Sequence, residues 1–381
     1  MKKVFCMVKT DCKHFPLDRP CGFHKEKGIQ CTGCSFYTPL FSPAKKVRSL
    51  LMVKLDAMGD VLRTTFLLPG LKKKYPGSSI TWVVAPESRS LLEHNPFIDR
   101  VWVFDKNVFS KIMGESFDEV INLDLSPVSL SLATMAPARV RTGFWLNSRR
   151  AVQCSNKYAS RWLDMSAFDD KKKDNTQTYQ HWMSKIVELP RADYEIHVPL
   201  LKDSVARAAR FAKQHHLKGK TVVGINPGAG GRWTLKKWTD AGYLSLIERL
   251  AGRNMKVVLL GGPQEEALIA KLLKRSGRKA VSTGTNNTIL DFFAFVDLCD
   301  LVITGDTMAL HAALGLGKKA VAVFGPTSVH EIEMYGRGTK VVSPAACACC
   351  YRSSCTVKPT CMDMITKEAV WSAVEELLPR K

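Results

Sequence analysis

The chain has 381 residues, 45% hydrophobic and 24% charged, and its 56 Lys+Arg against 35 Asp+Glu leave a net charge of +21. This length allows two ordinary domains with their own cores, the composition excludes a disordered or fibrous chain, and no apolar run approaches the roughly 20 residues of a membrane span. The positive surplus calls for an anionic partner, whether nucleic acid, an anionic membrane face or a phosphorylated substrate.

Val4 to Val8, after Lys2 and Lys3, is too short for the core of a signal peptide, so a cytoplasmic location is expected. Residues 1–42 form a block of their own, with Cys12, Cys21, Cys31 and Cys34, interleaved His14 and His24, and few aliphatic side chains. A segment with so little apolar surface needs an external staple. A Cys-x-x-Cys at Cys31 and Cys34 with two cysteines upstream has the ligand count of a tetrahedral zinc site, and one structural zinc is the expectation. An iron–sulfur centre and an unligated tail are the alternatives. Ser42 to Lys46 reads as a linker.

From Val47 strands and helices alternate, which predicts parallel sheets. Strands are expected at Leu50–Val53, Ile80–Val84, Val101–Phe104 and Val120–Leu123, with helices at Val61–Tyr75 and Glu87–His94. Residues 145–175 are polar, basic and without clear period, and read as a surface loop. A second alternating series follows Pro190: strands at Thr221–Ile225, Val257–Leu260, near Val281, at Leu301–Thr304 and at Ala320–Phe324. Helices are expected at Asp240–Gly252 capped by Thr239, Glu265–Leu273, Ile289–Phe295, Met308–Leu316 and Lys367–Leu378. The domains predicted are 1–42, 43–195 and 196–381.

Three loops at the carboxyl ends of strands concentrate the chemistry, because ligands of doubly wound sheets bind there and helix starts offer N–H groups to anions. In Met58-Gly59-Asp60, Gly59 permits close backbone approach, and Asp60 either caps the helix or faces a cleft. In Asn226-Pro227-Gly228-Ala229-Gly230-Gly231, Gly228 and its neighbours expose amides, and Arg232, Lys236 and Lys237 bring cations. In Gly305-Asp306-Thr307-Met308-Ala309, Asp306 either caps the next helix or serves a ligand, and His311 either packs inside or contacts that ligand. A second cysteine group, Cys347, Cys349, Cys350, Cys355 and Cys361, reads as packed thiols or a further metal site.

The three loops in this order, with Lys236-Lys237-Trp238 after the second and His311 five residues after Asp306, resemble family 9 glycosyltransferases, the ADP-heptose:lipopolysaccharide heptosyltransferases. The resemblance runs from about Val47 to the C-terminus. It implies a GT-B fold, two Rossmann-like doubly wound domains facing a cleft, with the Cys-rich block as an addition outside the family pattern. It also implies an inverting transfer of heptose, or a related sugar, from a nucleotide-diphosphate donor, ADP-heptose in the family. The acceptor it implies is a lipopolysaccharide core or similar anionic glycolipid at the cytoplasmic membrane face. By position Asp60 matches the family's catalytic base and Lys236 the lysine on the donor phosphates. Asp306 matches the donor-site acid, the amides of Thr307, Met308 and Ala309 with His311 match the diphosphate-binding helix start, and Glu265 matches a ribose-contacting acid. Asp56-Ala57 stand where small hydroxyl residues are expected, which bears on the acceptor. The chain offers no Asp-x-Asp pair, so no cofactor or divalent metal is expected in catalysis. A monomer is expected, and no nucleic-acid partner; a nucleic-acid binder using the Cys-rich block and a GT-B sugar-nucleotide epimerase are the rival readings.

Overall fold

A computed structural model describes residues 8–40, 49–55, 57–190, 194–230 and 234–378. The linker at 42–46, Asp56, and Gly231, Arg232 and Trp233 of the second loop lie outside them. Among the described residues the strands are β1 Ser49–Val53, β2 Ser79–Val84, β3 Arg100–Val103, β4 Phe117–Asn122, β5 Ala138–Leu146, β6 Val152–Cys154, β7 Val222–Asn226, β8 Lys256–Leu259, β9 Ala280–Ser282, β10 Leu301–Gly305, β11 Lys319–Phe324 and β12 Gly338–Val342. They form two sheets of identical winding, β3-β2-β1-β4-β5-β6 and β12-β11-β10-β7-β8-β9. Only β6 runs antiparallel, Phe144 to Leu146 pairing with Cys154 to Val152.

The central strands read as unbroken apolar runs because helices cover both faces of each sheet. Leu50, Leu51, Met52 and Val53 of β1 are all buried, as are Leu301, Val302 and Ile303 of β10. In each sheet the winding direction reverses between two neighbours, β1 beside β4 and β7 beside β10. A crevice opens at such a reversal, at the carboxyl ends of the strands. The two crevices face each other.

The sequence and the structure part at several elements. The single helix expected over Val61–Tyr75 is two, Met58–Thr64 and Leu67–Lys74. Pro69 explains the break: it has no N–H for the Thr65 carbonyl, and its ring crowds that carbonyl in a continuous helix. The surface loop expected over 145–175 is instead the end of β5, the strand β6, and helices Lys157–Ala167 and Asp169–Lys173. Asn156 starts the first of these helices by accepting from the N–H groups of Tyr158 and Ala159, at 3.1 and 3.0 Å. Arg149 and Arg150 lie in the exposed turn between β5 and β6, and Lys157 and Lys173 at exposed helical positions, so the polarity of the stretch masked its period. Helices Tyr179–Ile186 and Lys202–Gln214 and strand β12 also form where none was expected. Thr239 caps Asp240–Gly252 as expected, accepting from Gly242 N–H at 3.0 Å. No helix among the described residues is long and apolar enough to cross a membrane.

Candidate active site

Between the two crevices lies a cleft of 1020 Å³, lined from the first half by Gly59, Asp60, Arg63 and Lys54, and from the second by Gly228, Lys236, Glu265, Asp306, Thr307, Met308, Ala309 and His311. All ten residues that the sequence nominated for catalysis or ligand binding therefore meet in one place. Helices Met58–Thr64 and Met308–Gly315 start on opposite walls and approach closely. A Cβ placed on Gly59 would lie 3.5 Å from Met308 Cα and 3.5 Å from His311 Cδ2.

On the first wall, Asp60 is the third residue of its helix, and its carboxylate accepts from the Ala57 N–H. It also pairs with Arg63 at 2.7 Å and keeps 38% of its side chain exposed to the cleft. Cap and cleft carboxylate are thus the same group. Burial works to raise its pKa, but Arg63, Lys54 and His311 outweigh that and bring it down to about 2. Arg63 stacks 3.8 Å from the Tyr179 ring, while its buried Nε makes no hydrogen bond among the described residues. Behind Asp60, Lys54 donates to Asp124 Oδ1, and the other oxygen of Asp124 accepts from Leu55 N–H at 2.7 Å. Burial disfavours the Lys54 ammonium, and Asp124 more than restores it, so it stays charged.

On the second wall, Lys236 Nζ donates to Asp306 Oδ2 at 2.9 Å and to the Asp306 carbonyl at 3.0 Å. Both side chains are largely buried, at 13% and 17% exposure. Burial alone would raise the Asp306 pKa; Lys236 and His311 hold it below the usual carboxylate range. Asp306 does not cap the helix. Thr307 stands at the N-cap, yet its hydroxyl turns inward to Thr304 Oγ1 at 3.0 Å and Asn226 Nδ2 at 3.4 Å. The first intrahelical bond is Leu310 N–H to the Thr307 carbonyl, at 3.1 Å. The amides of Met308 and Ala309 precede it, on the cleft side. His311, buried at 6% exposure, has its pKa lowered to about 4 by burial and by Arg63, so it is neutral at pH 7.

Glu265 lashes two loops together, accepting from Gly230 N–H at 3.2 Å and Gly262 N–H at 3.0 Å. Gly228 is required beneath it, since a Cβ there would fall 2.1 Å from Glu265 Cγ. A carboxylate has about four acceptor sites, which leaves Glu265 able to accept from a further donor in the cleft.

Sequence reasoning missed Lys54, Arg63, Asp124, Glu331 and Tyr351, which also line the cleft. Lys54 directly follows β1 and Asp124 comes two residues after the end of β4, so a search for polar residues at the carboxyl ends of the strands would have found them. Glu331 and Tyr351 sit on irregular loops that carry no such mark. Tyr351 Oη lies 3.2 Å from Glu331 Oε1, and burial pushes the Glu331 carboxyl up despite Arg63 nearby. The lining named here holds three Lys/Arg against five Asp/Glu. The net positive charge therefore lies elsewhere, at outer residues such as Arg149, Arg150 and Lys173, which are exposed.

The cysteines are elsewhere. Cys12, Cys21, Cys31 and Cys34 line a separate cavity within residues 8–40. Cys361 packs under the end of β11, where a Cβ on Gly325 would touch its sulfur at 2.7 Å. Burial, and then the nearby Cys350, Cys347 and Cys355, push the Cys361 thiol up. Among the described residues, no three His, Cys, Asp or Glu side chains are placed to grip a single metal ion.

The sequence model of glycosyltransferase family 9 (heptosyltransferase) matches residues 106–361. Lipooligosaccharide heptosyltransferase 2 of Campylobacter jejuni is 29% identical over 166 residues, 42% of this chain and 52% of that protein. The chain thus spans about half the length of that relative. Lipooligosaccharide heptosyltransferase 2 of Haemophilus influenzae is 24% identical over 307 residues, 74% of this chain and 84% of that protein. The solved glycosyl transferase family 9 structure from Veillonella parvula is similar in fold, with a TM-score of 0.71 at 20% identity, covering 88% of this chain and 99% of that one.

Proposed function

We infer the reaction from the geometry of the cleft taken together with the family: this chain belongs to glycosyltransferase family 9, the heptosyltransferases. We propose that it transfers heptose, or a related sugar, from ADP-heptose or a similar nucleotide-diphosphate donor to an anionic glycan of the lipopolysaccharide-core type. The observation that carries this reading is the juxtaposition across the cleft. A carboxylate on one wall, Asp60, stands opposite a lysine and a helix start on the other, with Gly59 and Met308 almost in contact. Neither the nucleic-acid reading nor the epimerase reading requires that opposition.

The donor diphosphate lies at the start of the Met308–Gly315 helix, where the amides of Met308 and Ala309 and the positive end of the helix dipole favour an anion. Lys236, held in place by Asp306, supplies a point charge to the phosphates, and Glu265 receives the ribose. As the sugar–phosphate bond breaks, the negative charge left on the departing nucleotide diphosphate is met by these groups. No divalent ion is needed for that work. The acceptor hydroxyl attacks the anomeric carbon from the opposite face, inverting it, and gives its proton to Asp60. Arg63 keeps Asp60 ionised and fixes its direction. The exposed basic residues attract an acceptor-bearing anionic membrane at its cytoplasmic face.

The experiment is to incubate ADP-heptose with heptose-deficient lipopolysaccharide core and measure ADP release, with and without a chelator, and the anomeric configuration of the product. Acceptor-dependent ADP release that survives chelation, with inversion, is expected. Release independent of acceptor, retention of configuration, or strict dependence on a divalent ion would overturn the reading.

A further inference from the structure

Residues 8–40 are folded without a core. Not one of them is buried, although the segment contains the helix Gly22–Lys27, a bridge between Cys12 and Pro39, and the rings of Phe23 and Phe36 stacked at 4.3 Å. Leu17, Gly28 and Gly33 hold left-handed backbone with φ of 72°, 65° and 76°. Ordering a residue's backbone costs about 1–2 kcal/mol, so over this length the total is on the order of tens of kcal/mol. No burial of aliphatic side chains is present to offset it. The aromatic stack and surface bonds such as Tyr37 Oη to Asp11 Oδ2 at 2.6 Å supply only about 1 kcal/mol each.

What the segment does have is a cavity of 460 Å³ whose wall includes all four of its cysteines. Each sulfur belongs to a free, half-buried residue. Gly33 gives Cys31-Thr32-Gly33-Cys34 its tight turn, in which Cys34 N–H meets the Cys31 carbonyl at 3.3 Å, and the turn presents that pair to the cavity. The four cysteines share this cavity wall, but among the described residues no three of them meet at one point, so ligation requires the side chains to turn inward.

We infer that Cys12, Cys21, Cys31 and Cys34 ligate a metal centre through four thiolates, and that this centre takes the place of the missing core. Its role is structural. Ser116 Oγ donates to the Leu40 carbonyl at 3.0 Å, which fixes the segment's end beside the start of β4, and the cleft lies at the opposite end of the strands. The inference goes beyond the proposed reaction and does not depend on it. One zinc and an iron–sulfur cluster offer the same thiolate chemistry, and metal content separates them.

The test uses the full chain, purified anaerobically from cells supplied with zinc and iron, with metals and acid-labile sulfide measured per chain. The expected result is about one zinc, or about four iron with matching sulfide, in the wild type and in Cys347→Ser/Cys350→Ser, and loss of that metal in Cys31→Ser/Cys34→Ser. Chelation should open residues 8–40 to limited proteolysis while residues 49–378 stay protected. A metal-free wild-type chain, metal that persists in Cys31→Ser/Cys34→Ser, or disulfides joining these four cysteines by mass spectrometry would overturn the inference.

Discussion

Asp60→Asn separates a proton acceptor from a helix cap. Asn keeps the shape and still accepts the Ala57 N–H, so the helix start survives; only the basicity goes. Loss of a general base typically costs about 10²- to 10⁴-fold in rate, or about 3–5 kcal/mol of barrier. The structure places this site at the low end. Arg63 at 2.7 Å, with Lys54 and His311, brings the Asp60 pKa down to about 2, and a weak base contributes less than one poised near neutrality. A fall of about 100-fold in kcat is therefore expected. The change also leaves Arg63, 11% exposed, facing a neutral amide. Because Asp60 is 38% exposed, the stability lost should be nearer the roughly 1 kcal/mol of a screened pair than the about 3–5 kcal/mol of a fully buried one. ADP release under saturating acceptor, ADP binding by calorimetry and a thermal melt measure the three quantities. Turnover near wild type would refute the base assignment. So would a loss of ADP affinity in proportion to the lost rate, since Asp60 would then be serving the donor.

Arg63→Met should raise the Asp60 pKa, because the strongest opposing charge disappears; the acid limb of kcat/KM, out of reach in the wild type, should then enter the range of about pH 4–6, and a profile that stays flat there would contradict the pairing. Lys236→Ala should weaken ADP binding by about 1.5–3 kcal/mol, one to two orders of magnitude in Kd, as read by calorimetry. His311 has its pKa lowered from 6.5 to about 4, so the unfolded chain binds the extra proton between those values and stability is fully present above about pH 6.5 and falls toward pH 4. That group alone should remove about 3 kcal/mol, and urea unfolding of His311→Gln should show a correspondingly smaller loss between pH 7 and 4. Gly228→Ala drives a methyl to within 2.1 Å of Glu265 Cγ, which should eject Glu265 from its two amide bonds and weaken ADP binding more than it lowers the melting temperature.

The sequence by itself determined the two alternating halves and the three loops, for a local reason. A strand buried on both faces must be an unbroken apolar run, and the polar or glycine-rich residues at its carboxyl end then mark the only place left for chemistry. β1, β7 and β10, with the loops after them, were legible in this way. Patterns that violate local rules were not: the basic stretch 145–175 spreads its charges over a turn and two real helices, and Pro69 divides a helix whose apolar period runs straight through it.

Tertiary structure alone decided which charges stand together. Asp60 and Arg63 are close in the chain, but Lys236 meets Asp306 across 70 residues, and Glu331 approaches the same Arg63 from a loop without periodicity. Only the folded cleft shows that Asp60 is ionised and restrained, that His311 is neutral, and that the cleft walls carry more acid than base in a chain of net charge +21. The physical reason is the form of the two forces. Apolar burial repeats along the chain with the period of its secondary structure and can be counted there, whereas a Coulomb interaction in a poorly hydrated cleft depends on distances of a few ångströms between residues that no sequence spacing relates.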